Sequence, residues 1–245
     1  MRIAVLNQKG GTGKTTVAVN LAAGLARRGR RTLLVDLDAG AGVTRSLHLS
    51  PERNVYDFVT GAGPAESYAV AVRENLDVIP SEKASTASLE AVIRKDKERL
   101  ALAARFDGSA YNAVLFDCGP GFNVVNVAAI RAAEKLAVPL TLDYLALTGL
   151  AEIQADLEAL GEIYGEGRVA ELGYIIPCFY DKRRRLTREV LAVLKKDFPG
   201  KVTPPIRVSV KLAEAPGHGK TIYEYDRRGR GAEDFNALTA FILSR

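Results

Sequence analysis

Short apolar runs recur along the chain at residues 3–6, 32–35, 76–79, 113–116, 136–139 and 172–176. Each has the length of a strand and lacks the alternation of a half-exposed one, which predicts strands covered on both faces. Between them lie stretches of helical period. Residues 15–28 place Val17, Leu21 and Leu25 on one face and run into Gly29, a stop signal. Residues 88–105 form the longest helix candidate, and 186–198 form another. Strands alternating with helices predict an α/β fold: a mostly parallel, twisted sheet with helices on both faces. No internal repeat, low-complexity tract or linker interrupts the pattern, so one domain over 1–245 is expected.

Composition adds limits to this picture. A chain of 245 residues can bury one good-sized core. Its 47% hydrophobic and 26% charged residues are those of a soluble globular protein. No apolar run approaches the roughly 18 to 20 residues of a membrane span. The chain runs straight into a strand with no signal peptide, so a cytoplasmic location is expected. Cys118 and Cys178 are too few for a disulfide framework, and with His48 and His218 they make a poor zinc set, so buried thiols are expected. A net charge of +5 and a pI near 9.2 point weakly to a polyanionic partner.

Chemistry concentrates where the first strand ends. The segment Lys9-Gly10-Gly11-Thr12-Gly13-Lys14-Thr15-Thr16 follows an apolar strand and opens a helix. Glycines at 10, 11 and 13 let the backbone curl so that its N–H groups and the helix N-terminus converge on phosphate oxygens. Lys14 can reach the β and γ phosphates, and the Thr15 hydroxyl can ligate Mg²⁺. Gln8 occupies the first glycine position of the usual G-x-x-x-x-G-K-[ST] pattern, so the strict motif fails there. A glycine-rich hairpin with a solvated lysine is the plainer alternative; a strand before, a helix after and two hydroxyls favour nucleotide binding.

In open α/β sheets ligands bind at the carboxyl ends of the strands, and aspartates recur there. Asp36 and Asp38 close the second run, and Asp117 closes the run 113–116. An apolar strand ending on aspartate can hold Mg²⁺ directly or through water, or it can cap the following helix; the phosphate loop on a neighbouring strand favours the metal. The two-residue spacing puts Asp36 and Asp38 on one face, both toward metal and γ-phosphate. Spacing alone does not separate their roles.

The loop with its extra Lys9 resembles the deviant Walker ATPases that include ParA, Soj and MinD. That resemblance implies an ATP hydrolase with ATP and Mg²⁺, in which Lys9 crosses a homodimer interface to the partner's nucleotide. It assigns orientation of the attacking water to Asp38, leaves Asp36 near magnesium, and places the segment around Pro205 to Val208, including Arg207, along the adenine. Four positions depart from the family pattern: Ala39-Gly40 stand where Pro-Gln is usual in ParA relatives, Gly119 stands where a proline is usual, and Arg207 replaces the proline of Ile-Pro. The tail Glu214-Ala215-Pro216-Gly217-His218-Gly219-Lys220-Thr221-Ile222 also resembles the ParA C-terminus, so the likeness spans nearly the whole chain.

Between Lys182 and Lys211 lie ten Lys or Arg residues and two acids, Glu189 and Asp197. Arg183, Arg184, Arg185, Arg188, Lys195, Lys196 and Lys211 are the candidates for neutralising DNA phosphates without reading bases. A solvated loop and helix is the plainer reading of the same stretch; the resemblance favours DNA, because Lys211 falls where Soj-like proteins place a DNA-contacting arginine. It further implies a ParB-like activating partner and association with the nucleoid. Positioning of a protein cargo, a MinD-like membrane regulator, a small-molecule ligase and a nitrogenase-type iron protein are the alternatives. Phe235, Leu238, Phe241 and Ile242 form an apolar stripe that is expected to pack in the core, without stable membrane binding.

Overall fold

The computed structural model describes residues 1–50, 52–95, 102–106, 108–165 and 167–245. Seven strands form one sheet: β1 (Arg2–Val5), β2 (Thr32–Asp36), β3 (Val70–Arg73), β4 (Leu76–Ile79), β5 (Ala113–Asp117), β6 (Lys135–Thr141) and β7 (Glu171–Cys178). Their order across the sheet is β3-β4-β2-β5-β1-β6-β7. Every neighbouring pair is parallel except β3 with β4.

All six apolar runs are therefore strands, and each is buried on both faces. Along β1, Ile3 and Val5 join one hydrophobic core while Ala4 and the following Leu6 join the other. One core holds helix α1 (Lys14–Ala26) and the C-terminal helix α10 (Arg230–Leu243). The other holds α3 (Val55–Thr60), α5 (Val124–Ala132), α6 (Leu145–Tyr164) and α7 (Arg185–Asp197). Each fully buried Val, Leu, Ile or Phe contributes about 1.5–3 kcal/mol of transfer free energy. The stripe on α10 lies in the first core: Phe235, Leu238 and Ile242 are buried and Phe241 packs against them.

Two expectations change. The antiparallel edge strand β3 was absent from the apolar pattern because its burial runs from exposed to intermediate. The helix expected over 88–105 is α4 (Lys83–Lys95), followed by a 3-10 turn at Leu102–Phe106. The rest of that run, including Asp96 to Arg99, lies outside the described residues. The longest described helix is α6. Short helices α2 (Gly42–Ser46), α8 (Val210–Glu214) and α9 (Ile222–Tyr225) complete the loops at the carboxyl ends of the strands and the tail.

Candidate functional site: a phosphate cradle and three aspartates

The loop from β1 to α1 is shaped by its neighbours. Asn7 donates from Nδ2 to the Pro139 carbonyl at 2.7 Å and accepts the Lys9 N–H on Oδ1 at 2.9 Å, which ties the loop to β6. Gln8, in place of the usual glycine, donates to Asp156 Oδ2 on α6 at 2.7 Å. Gly13 caps α1 in the left-handed region at φ 92°, a conformation that opposes any side chain. The first N–H groups of α1 thus face the cradle without intrahelical partners.

Lys14 is 8% exposed, and among the described residues its ammonium donates only to the Lys9 carbonyl, at a long 3.3 Å. Thr15 donates from Oγ1 to Asp117 Oδ2 at 2.7 Å. Asp36 and Asp117 stand in register on adjacent strands, both fully buried. Asp36 Oδ2 accepts from the Thr44 N–H at 3.1 Å and the Thr44 hydroxyl at 3.0 Å, and its Oδ1 accepts from Asp38 N–H at 3.3 Å. Asp38 is only half-buried, with Oδ1 accepting from Gly40 N–H at 2.9 Å. A Cβ on Gly119 would lie 3.3 Å from that same Oδ1, and one on Gly40 3.4 Å from it, so both glycine departures lie against the Asp38 carboxylate.

Burial pushes the Asp36 carboxyl up to about 6, against the hydrogen bonds from Thr44. Burial, with Asp36 beside it, pushes Asp117 well above the carboxylate range; the Thr15 bond and Lys14 only partly oppose this. Both groups hold their protons more tightly in the fold than in the unfolded chain, so ionising them works against folding. For Asp36 this loss begins near the ordinary value of 3.8 and is complete above about 6. The nucleotide-free Asp36→Asn protein is expected to melt with the wild type near the lower limit and increasingly above it as pH rises through the window. A melting difference that stays constant with pH would refute this.

The same arrangement fits a divalent cation. Asp117 Oδ1 is buried with no hydrogen-bond donor, beside the Thr15 hydroxyl and a second carboxylate. Among the described residues no group of three or more His, Cys, Asp or Glu side chains could hold a metal alone. A cation here would complete its shell with phosphate oxygens and water, the habit of Mg²⁺ at nucleotide sites.

Other residues singled out from the sequence fall around this centre. Lys9 is half exposed and pairs with Asp143 Oδ2 of its own chain at 2.9 Å. A cavity of about 190 Å³ opens beside the cradle between Gly13, Thr16, Phe179, Ile206 and Arg207. Pro205 lies outside its lining. Arg207 is held by Asp234 and Glu233 on α10, with Nη2 to oxygen distances of 2.7 and 2.9 Å. Cys118 and Cys178 are both buried free thiols; burial pushes Cys178 up to about 12.

The basic stretch is partly self-neutralised. Arg183 pairs with Asp181 at 2.8 Å, just outside the stretch, and Arg185 with Glu189 at 2.6 Å. Lys211 pairs with Glu214 at 2.9 Å and lies over the Tyr225 ring. Arg188 donates to the Lys182 carbonyl at 2.7 Å. Arg184, Lys195 and Lys196 are exposed at the two ends of α7, whose other face buries Val190, Leu191 and Leu194. These ion pairs are exposed and screened by solvent, so each yields readily to a phosphate. Sequence reasoning missed Thr44, Ser81, Asp143 and Asp234. Thr44 lies in α2 and Ser81 two residues past β4, and neither hydroxyl carries a sequence signal of its own.

The chain is similar to known proteins. A family described as an AAA domain matches residues 1–164. The chromosome-partitioning ATPase Soj of Thermus thermophilus is 37% identical over 100% of this chain and 96% of its own length. The sporulation initiation inhibitor protein Soj of Bacillus subtilis is 36% identical over 99% and 98%. A Mycobacterium smegmatis protein described as cobyrinic acid a,c-diamide synthase, solved with an ATP analogue and magnesium, superposes with a TM-score of 0.82 at 27% identity, over 99% of this chain and 93% of that one. With a phosphate loop that carries an extra lysine, with Asp36, Asp38 and Asp117 grouped beside Lys14 and Thr15, and with relatives above 30% identity along the full length, the chain belongs to the Soj/ParA family of partitioning ATPases.

Proposed function

We propose that residues 1–245 act as one ATPase domain that closes on ATP·Mg²⁺ as a homodimer, binds DNA without sequence preference, and lets go after hydrolysis stimulated by a ParB-like partner. The observation that carries the ATPase part is the convergence of Lys14, Thr15, Asp36, Asp38 and Asp117 on one cradle. In this reading Gly10, Gly11, Thr12, Gly13 and Thr16 wrap the phosphates, with Lys14 neutralising them. Thr15, Asp36 and Asp117 hold magnesium, which when bound neutralises charge on the phosphate oxygens. Asp38 orients the attacking water through Oδ2, the oxygen that accepts no hydrogen bond from the described residues. The base occupies the cavity walled by Ile206 and Arg207. Lys9 exchanges Asp143 for the partner's nucleotide when two copies meet.

For DNA, the support is the exposed cationic face of α7, which opens on Arg185, with Arg183 and Arg184 before it and Lys211 nearby in sequence. No helix among the described residues is long and apolar enough to cross a membrane, and the α10 stripe is occupied in the core, which favours the nucleoid over a membrane surface. The test is binding to random duplex DNA with a non-hydrolysable ATP analogue, together with sizing in ATP and ADP. Affinity should fall with salt at a log–log slope of about −0.9 per phosphate neutralised, and Lys195→Glu with Lys196→Glu should flatten it by about two. A flat salt response, or equal size in both nucleotides, would remove the DNA or the dimer part respectively.

A further inference from the structure

We propose that Thr44 and Ser81, two buried hydroxyl residues at the ends of different segments, are positioning residues that fix Asp36 for the cation. This rests on the reading of Asp36 as a magnesium-side carboxylate. Thr44 is 7% exposed and Ser81 0%, so neither is bathed in solvent. Thr44 belongs to α2, in the loop after β2; Ser81 follows β4, the neighbour of β2 on the side away from β5.

The hydrogen bonds leave little freedom in how this group is wired. The Ser81 backbone N–H can only donate, and it donates to Thr44 Oγ1 at 2.9 Å. That occupies an oxygen lone pair and leaves the Thr44 hydroxyl proton for Asp36 Oδ2, 3.0 Å away. The Thr44 N–H adds a second donor to the same oxygen at 3.1 Å. Oδ2 of Asp36 is thereby engaged twice, while Oδ1 carries one long contact of 3.3 Å from Asp38 N–H. Oδ1 is the oxygen with coordination to spare. The Ser81 hydroxyl donates to the Asp38 carbonyl at 3.3 Å, so the end of β4 also braces the loop carrying the second aspartate.

A carboxylate held this way meets a cation without first reorienting, and outer partners of metal ligands typically change metal affinity by about 10–100-fold. Thr44 does not touch the cation or the nucleotide in this scheme; it acts through Asp36. Thr44→Val keeps the shape and the backbone bond and replaces the hydroxyl by a methyl, which takes a donor from Asp36 Oδ2 and the acceptor from the Ser81 N–H.

The experiment measures the affinity of a fluorescent ADP analogue in EDTA and across a Mg²⁺ titration, for the wild type, Thr44→Val, Thr44→Ser and Asp36→Asn, so that no turnover is read. Thr44→Val should bind in EDTA as the wild type does and need roughly tenfold more Mg²⁺ for half its enhancement. Thr44→Ser should restore the wild-type requirement, and Asp36→Asn should raise it at least as far as valine does. An unchanged Mg²⁺ requirement in Thr44→Val beside a raised one in Asp36→Asn overturns the positioning role and leaves Asp36 in place. An unchanged requirement in Asp36→Asn overturns both. Equal losses in EDTA and in Mg²⁺ would make Thr44 a packing residue only. If the valine variant does not fold, Thr44→Ala carries the same comparison.

Discussion

Asp38→Ala should lower ATP turnover by about 10²–10⁴-fold while leaving ATP bound, so that the protein accumulates in its ATP form. The expectation follows from how differently the three aspartates are held. Asp36 and Asp117 are fully buried and engaged by Thr44 and Thr15. Asp38 is half-buried, with one oxygen on Gly40 N–H and the other available, and its backbone is braced by Ser81. Glycine at 119 leaves room directly against that carboxylate. A group so placed can position water without contributing to nucleotide affinity, and removing its charge beside a triphosphate costs no binding. Asp38→Asn separates two roles: it retains an acceptor for Gly40 but cannot take up a proton. Phosphate release under single-turnover conditions reads the step directly. Turnover by Asp38→Ala within a factor of about three of wild type would end this assignment.

Lys14→Ala should lose nucleotide affinity by about two to three orders of magnitude, the range for deleting one partner of a desolvated charge pair. Lys14 sits almost out of solvent with its ammonium engaged by a single long bond to the Lys9 carbonyl. Two of its three donors have no partner among the described residues, and a triphosphate would supply them. Its removal also strips the aspartates of a nearby cation, since Lys14 is one of the influences that hold Asp117 down. Calorimetry with ADP and ATP checks the effect; affinity within a factor of about three of wild type would show that the backbone cradle suffices.

Much of this architecture was legible in residue order because parallel strands buried on both faces are written as uninterrupted apolar runs. The six such runs are strands, and the aspartates at 36 and 117 end two of them. Strand β3 escaped because it is a half-exposed edge, where burial does not dictate an apolar residue at each position. The helix expected over 88–105 begins earlier, at Lys83, and its far end at Leu102–Phe106 is a 3-10 turn, because helical period and charge carry neither a start nor a stop signal at those points. In the site, the cradle was readable because its residues are contiguous. Thr44 and Ser81 were not, since a hydroxyl has no signature until the sheet sets β4 beside β2. Asp143 and Asp234 were invisible for a related reason: each is defined by a distant cation, Lys9 or Arg207, that only the folded chain brings to it.

The placement of β1 also sets a timetable for synthesis. Of the seven described strands, β1 is made before the others, yet it is an interior strand of the sheet, lying between β5, which starts at Ala113, and β6, which starts at Lys135. Neither neighbour exists when β1 and the loop after it emerge. At about 5–20 residues per second, the phosphate loop waits on the order of ten seconds before either flank is made. An apolar segment kept waiting that long must be shielded or left to chance, which makes the newborn chain, rather than the finished one, the form most exposed to chaperones and to misassembly.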